Sequence, residues 1–488
     1  MKKKILYTIV ALAATFATTS CENWLEATSS TSLPADKVFE SPEGFSEALV
    51  GVYLNLQDNE VYGMNLTWYT AELIAYPYNT SVTAGIKLYQ DHQYQTQSLR
   101  NALKTIWRRA YNIIANINMA LEYVEKNKDV FRSEEEYQLY KGEFLGLRSY
   151  IYLDLIRLFG HVDMSEENMG KKAIPYAVKF DKEPAPQFSY RETFDMLIAD
   201  IDTAIECLEA ADPVAGNIDE RILESFNNDG FWTKRNTRFN YAAALGLKAR
   251  TLQWLNRLEE ASQCAQKSID IAFSSGLIRW ASVEEIMSEG HDKDFLFMPE
   301  QIFGLSFLAL PDMAAITIPG MTNPGYIIPE SFVDNTLFVR IDPETGSMSG
   351  AEDVRGPSLM LNYSNTGYWC GKLTEKRTNT SIPMMKVSEL YYIIAENLIE
   401  KGQNLEAIKT IDMVRTHRGI SENLPESANA ADELMKEYYR EFILEGKLVY
   451  WLKHKNVKES LCPSFNVKAE DLTFPFPQEE IDYGRVQE

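Results

Sequence analysis

The sequence predicts a mainly α-helical protein, a scaffold of paired antiparallel helices with a loop-rich, partly β second portion. Three observations lead there. Apolar residues recur at helical spacing over long stretches of the chain. Two later segments repeat one pattern of small residues, as stacked helical hairpins do. Phe295–Tyr368, by contrast, is rich in Pro, Gly, Asn and Asp, with short apolar pieces such as Ile302–Phe307 and Leu337–Ile341 that suit strands or loops.

The elements follow in chain order. Met1 precedes Lys2, Lys3 and Lys4, an apolar stretch from Ile5 to Ala17, and then Thr18, Thr19, Ser20 and Cys21. A basic start, a short apolar middle and a small-residue exit read as an export signal over residues 1–20, too short to span a membrane. A cysteine directly after the small residues predicts lipidation at Cys21, and several acyl chains there would anchor the body durably. Ser41, Pro42 and Glu43 open a first helix whose Phe45, Leu49, Val52, Tyr53 and Leu56 share one face. Gly63 to Leu99 reads as loops. Helices resume at Ile106–Lys126, Glu134–Phe159 and about Arg191–Ala210; Arg148 stands apart from the polar strip of Glu143, Asp154 and Arg157 and is expected to be buried among partners.

The repeated pattern lies in Asn240–Phe273 and Lys386–Arg418. Ala249 and Leu252 precede Ala261, Ala265 and Ser268 in the first; Ala395 and Leu398 precede Ala407, Ile411 and Val414 in the second. Asn256 and Gly402 hold the same place in the intervening turn. Small residues at those points let two antiparallel helices approach closely, the logic of a tetratricopeptide unit, and such units bury their faces by stacking.

Composition bounds the function. The chain of 488 residues is 45% hydrophobic and 24% charged, as a globular protein is. Lys plus Arg number 48 and Asp plus Glu 70, a net charge of −22, or −25 once the three signal lysines are removed. Such a surface repels nucleic acid and anionic head groups. Cys207, Cys264, Cys370 and Cys462 are far apart with no CxxC pair, and one disulfide among them is possible. His92, His161, His291, His417 and His454 show no metal spacing, and no GxSxG elbow occurs, so neither a catalytic site nor a metal or other cofactor is expected. Acid pairs such as Glu479–Glu480 read as solvated surface.

Loop aromatics offer more. A flat ring covers the C–H face of a sugar while amides and carboxylates bond its hydroxyls. The candidates are Trp68, Tyr76, Tyr78 and Asn79, with Tyr69, Tyr89, His92 and Tyr94 nearby; Asp229, Phe231 and Trp232; and Tyr363 and Trp369. Phe231–Trp232 follows a turn sequence and is expected to be exposed, since adjacent aromatics there cannot both face inward.

Taken in order, the motifs resemble the SusD/RagB family of outer-membrane nutrient-binding lipoproteins. They begin with Cys21-Glu22-Asn23-Trp24-Leu25-Glu26 and the helix of Phe39, Phe45, Ala48-Leu49, Gly51 and Tyr53. Leu147-Arg148-Ser149-Tyr150 and Asp154-Leu155-Ile156-Arg157-Leu158-Phe159-Gly160 follow. Lys386–Glu396, Val414-Arg415, Arg418-Gly419, Glu441, Leu444-Glu445-Gly446 and Phe476-Pro477-Gln478-Glu479-Glu480-Ile481 complete the series. Lys386, where the family generally has arginine, and Val449-Tyr450-Trp451 depart from the pattern in what should be scaffold. The resemblance implies a SusD-like fold, with regions 21–230 and 231–488 packed as one intertwined domain. It implies a surface-exposed, lipid-anchored protein of the outer membrane that binds oligosaccharides, or in some branches peptides, without cleaving them. The cargo would pass to a SusC-like TonB-dependent transporter. A helical-repeat scaffold for protein contacts and a surface glycosidase are the competing readings.

Overall fold

A computed structural model describes residues 34–80, 84–287, 294–318, 326–338, 352–356, 360–363, 367–373 and 380–483. Cys21, the signal before it and the Trp24 motif lie outside the described residues.

Helix α1 (Pro42–Leu56) starts where its cap residues stand, with Ser41 extended at the N-cap position and Pro42 in the first turn. The Ser41 side chain bonds Glu43 and makes no capping bond to the backbone. α2 (Gln97–Lys126) begins at Gln97, not Ile106. Leu99 and Leu103 continue its buried stripe, but Gln97, Ser98, Arg100 and Asn101 around them face solvent and dilute the apolar pattern. α3 (Glu134–Phe159) is capped by Ser133, whose hydroxyl accepts from the Glu136 N–H at 3.1 Å, and is buried all round from Gly142 onward. Arg148 is buried as expected, donating to Asn118 Oδ1 and Asp200 Oδ2, each at 2.8 Å.

A short antiparallel ribbon, β1 (Lys172–Pro175) and β2 (Gln187–Ser189), leads into α4 (Tyr190–Ala211), which a Ser189–Glu192 capping box opens. The repeated segments are two helical hairpins: α5 (Tyr241–Trp254) with α6 (Leu258–Ser274), and α7 (Val387–Glu400) with α8 (Asn404–Thr416). Ala249, Ala261, Ala265, Ser268, Ala395 and Ala407 are all fully buried where the helices approach. Asn256 (φ 57°) and Gly402 (φ 70°) both take the left-handed conformation that ends the first helix of each pair. Their hydrogen bonds match too. Asn256 N–H donates to Gln253 O and Arg257 N–H to Leu252 O, and Gly402 N–H donates to Ile399 O and Gln403 N–H to Leu398 O, all at 2.9 Å. With α9 (Ala430–Glu441) the helices form one row in which each packs on the next, α6 meeting α7 across the intervening insertion. α10 (Leu448–His454) closes back against α3 and α9.

The insertion holds the remaining strands: β3 (Gln301–Ser306), β4 (Ile327–Pro329), β5 (Met360–Tyr363), β6 (Gly367–Cys370) and β7 (Ser381–Lys386). β3 pairs antiparallel with β7, and β4, β6 and β5 form a three-stranded antiparallel sheet in that order. The Ile302–Phe307 piece is thus mostly strand; of Leu337–Ile341 only Leu337, which ends a π-helical turn begun at Val333, and Phe338 are described, and the remainder lies outside the described residues. Cys207, Cys264, Cys370 and Cys462 are all free thiols.

Charge also runs through the core. Glu441 is fully buried and accepts from Arg418 Nη2 at 2.8 Å, Arg355 Nη1 at 3.1 Å and Ser388 Oγ at 3.0 Å, with Lys386 Nζ 3.0 Å away. Arg418 also forks onto Glu300, Arg355 onto Glu437 and Asp353, and Lys386 and Lys372 share Glu445. Burial alone would raise the Glu441 carboxyl; the Arg418 and Lys386 charges outweigh it and hold the group well below the usual range. Lys386, the departure from the family's arginine, is therefore a scaffold residue.

Candidate functional site

The structure places most of the candidate aromatics in the packed interior and corrects the one expected exposure, that of Phe231–Trp232. Trp68 is buried with its indole N–H on Thr317 Oγ1 at 2.9 Å. Tyr76 is buried and donates to Tyr439 O at 3.2 Å, and Tyr78 is buried and donates to Glu72 Oε1 at 2.9 Å. Trp369 lies buried in β6, and Tyr363 lies in β5 with its side chain outside the described part. Trp232, the residue expected to stand out, is 1% exposed. Its backbone N–H donates to Asn227 Oδ1 at 2.8 Å and that of Phe231 to Asp229 Oδ1 at 3.0 Å, which curls the turn inward. Arg238 then covers the half-buried Phe231 at 3.8 Å from its ring centre and Trp232 at 4.6 Å, itself held by Glu143. Both rings pack because arginines supply the lid. Asn79 is half-buried against β4, its N–H on Ile327 O, and Asp229 is exposed. Tyr76, Tyr78, Asn79 and Trp369 gather around β4, where the rings of Tyr76 and Tyr78 lie 5.3 Å apart and Ile327 is bonded by Asn79 and paired with Trp369, but the three aromatic side chains there are buried scaffold; Asp229, Phe231 and Trp232 form a separate turn.

A different surface does converge. A groove of about 320 Å³ runs between the start of α2 and the segment Pro475–Ile481. From the helix come Gln97, Arg100, Asn101 and Lys104, which share one face at the spacing of successive turns. The preceding loop adds Tyr94 and Gln95, and the opposite wall adds Phe476, Gln478 and Glu479. The wall is fixed to the scaffold: Phe474 N–H donates to Leu158 O at 2.9 Å, and Phe476 packs edge-on against Trp107 at 5.5 Å. Tyr94 is positioned by its hydroxyl, which donates to Asp471 O at 2.6 Å, and burial pushes that hydroxyl's pKa upward. Gln97 Nε2 donates to Asn101 Oδ1 at 2.8 Å, Arg100 donates to the Gln95 amide oxygen, and Lys104 pairs across the groove with Glu479. That bond to Lys104 is the main cause lowering the Glu479 carboxyl. Two half-buried rings beside four side-chain amides make a surface that can cover a sugar's C–H face and bond its hydroxyl rim. Tyr94 stood among the sequence's loop aromatics. Phe476 did not, although its Phe-Pro-Gln-Glu-Glu-Ile run was legible as a motif.

A second cavity lies among buried side chains of α3, α5, α7 and α10. It measures about 40 Å³ and is lined by Tyr62, Asp154, Arg157, Arg250, Glu389 and Lys447, among others. That is room for water-sized guests and not for a sugar ring. Its charges pair within it: Arg250 forks onto Glu389 at 2.6 and 2.8 Å, and Arg157 bonds Asp154. Among the described residues no group of His, Cys, Asp and Glu could hold a metal ion.

Comparison with known proteins adds the following. Residues 23–213 match a family model described as starch-binding, associating with the outer membrane, and residues 349–459 match the SusD family model. A SusD-like protein of Formosa agariphila is 22% identical, over 91% of this chain and 88% of its own length. The fold is similar to that of a SusD superfamily protein from Bacteroides vulgatus, with a TM-score of 0.71 at 18% identity, covering 92% of this chain and 98% of that one. It is also similar to surface glycan-binding protein A from Bacteroides thetaiotaomicron, solved in complex with laminarihexaose, with a TM-score of 0.60 at 17% identity over 91% and 98% of the two chains.

Proposed function

Since the chain belongs to the SusD/RagB family, whose members bind and do not cleave, we propose that it captures glycans at the outer membrane and hands them to a TonB-dependent transporter. One observation carries the binding part of this reading: the groove between α2 and Pro475–Ile481, with Tyr94 and Phe476 as ring surfaces and Gln95, Gln97, Asn101 and Gln478 as its amide rim. The acylated Cys21 would tether the body, and no described helix is long and apolar enough to cross a membrane. Passage of cargo into the cell would fall to the transporter.

Calorimetry on a glycan found by array screening tests the groove. Replacing Gln97 and Asn101 together by alanine should weaken binding several-fold, and both lie exposed, so the fold is spared. Phe476→Ala should weaken it at least as much, by loss of ring contact. Unchanged affinity in both variants would remove the groove from the reading. For the tether, Cys21→Ala should release the protein from the membrane fraction of cells. For the transporter, purification from mild detergent should bring down a much larger outer-membrane partner, and recovery of the protein alone in several detergents would count against it.

A further inference from the structure

The groove gathers cations on one wall of an acidic protein. The chain carries −22 overall, yet the helix wall of the groove holds two cations, Arg100 and Lys104, and no carboxylate; Glu479 lines the opposite wall, with Asp482 behind it accepting from the groove's Gln478 at 3.0 Å. What each cation is paired with decides what it can bind. Arg100 is exposed and bonds a neutral amide, that of Gln95, with no carboxylate paired to it among the described residues. Lys104 is shared with Glu479, an exposed side chain on the opposite wall that an incoming anion can displace. Arg100 and Lys104 stand one turn apart on α2, about 6 Å along the helix axis. They therefore address two points along a chain lying in the groove. A neutral glycan would leave the Arg100 guanidinium with nothing stronger than hydroxyls, whereas its planar fork matches a carboxylate or a sulfate.

We infer that the groove selects acidic glycans, Arg100 holding a uronate carboxylate or sulfate ester of the chain and Lys104 taking a second such group after release from Glu479. This rests on the groove being the glycan site, and it names the class of glycan.

The test separates the two claims. Immobilised neutral polysaccharides (starch, xylan, mixed-linkage glucan) and acidic ones (polygalacturonate, alginate, carrageenan) are run against the full chain and against Arg100→Gln and Phe476→Ala. Retention by acidic members is expected. For uronates the matched pair is an oligogalacturonate and its methyl ester; for sulfates it is a carrageenan oligosaccharide and its desulfated form. The acid should bind at least about tenfold more tightly than its uncharged partner, the difference expected of a charge-assisted hydrogen bond. In Arg100→Gln that acid-to-neutral ratio should collapse toward one. The pair that shows the effect tells carboxylate from sulfate. If only neutral polysaccharides are retained, and Phe476→Ala abolishes that, the selectivity is overturned and the groove stands. An undiminished ratio in Arg100→Gln likewise overturns the selectivity. If no polysaccharide is retained, or Phe476→Ala binds like the parent, the groove itself fails and the inference with it.

Discussion

Trp232 is gripped by Tyr140 and Phe231, each edge-on at 4.9 Å between ring centres, and by the guanidinium of Arg235 at 5.3 Å. Trp232→Ala should cost about 3–5 kcal/mol, the range for a large buried aromatic, and urea denaturation would measure it. Glycan affinity should not change. The sequence named this residue as an aromatic beside a turn and placed it outside, because the neighbouring Arg235 and Arg238 fold over it only when held by carboxylates far along the chain. Those arginines are fixed in turn by Glu143 and Asp212, which lie on two other helix regions. Glu441 is the opposite case, recognised as a motif residue and found at the centre of the charge cluster. Glu441→Ala should destabilise by about 3–5 kcal/mol, since it takes from Arg418, Arg355 and Lys386 the carboxylate they share and leaves Glu300, Glu437 and Glu445 to balance those buried charges.

The two hairpin turns show what the sequence makes legible at the level of an element. Spacing alone aligned Asn256 with Gly402, and the backbone repeats the same left-handed turn at both. Nothing lies within 4 Å of a Cβ built on Gly402, so Gly402→Ala probes the backbone strain without a clash. It should cost about 1–2 kcal/mol, seen as a lower urea midpoint with an unchanged slope. Asn256→Gly should be close to neutral, because glycine takes the same conformation freely. The start of α2 was less legible than those of α1 and α3. The first turn of α2 carries mostly solvent-facing polar residues, and those are the residues that build the groove. Of the strands of the insertion only β3 was legible as a strand-like piece, and its pairing was not, since its partner β7 lies far along the chain.

At the scale of the whole molecule, distant parts of the chain are stitched through buried polar groups. Glu72 accepts from the N–H groups of Leu444 at 2.8 Å and Gly446 at 3.1 Å, and Lys453 donates to Leu158 O at 3.1 Å and Gly160 O at 3.2 Å. We expect residues 21–230 and 231–488 to melt together in one calorimetric transition. The pH dependence should be two-sided. Burial pushes Glu72 up from 4.5 to about 7, so between those values the folded state keeps a proton that the unfolded chain has lost, and stability falls as pH rises. Glu389, Glu396 and Glu437 run the other way. Burial would raise them, but Arg250, His454 and Arg355 respectively outweigh it and hold each at about 2. Below 4.5 the unfolded chain takes up their protons first, so stability falls as pH drops toward 2. Urea midpoints measured across the acid range should peak at about pH 5, between the two windows. Glu72→Gln should flatten the slope on the neutral side while lowering the midpoints overall, because an amide leaves one of the three donors now facing the carboxylate unmatched.

The groove owes one of its two walls to Pro475–Ile481, well after the last helix of the scaffold, α10, has ended at His454. On the function proposed above, recognition and architecture are therefore separable by a single peptide-bond cut. A preparation trimmed by a carboxypeptidase, or cleaved just after Phe474, would keep its helical spectrum and its elution volume and still have lost its cargo. Intact mass, more than any spectroscopic check of folding, is the quality control that a binding measurement on this protein requires.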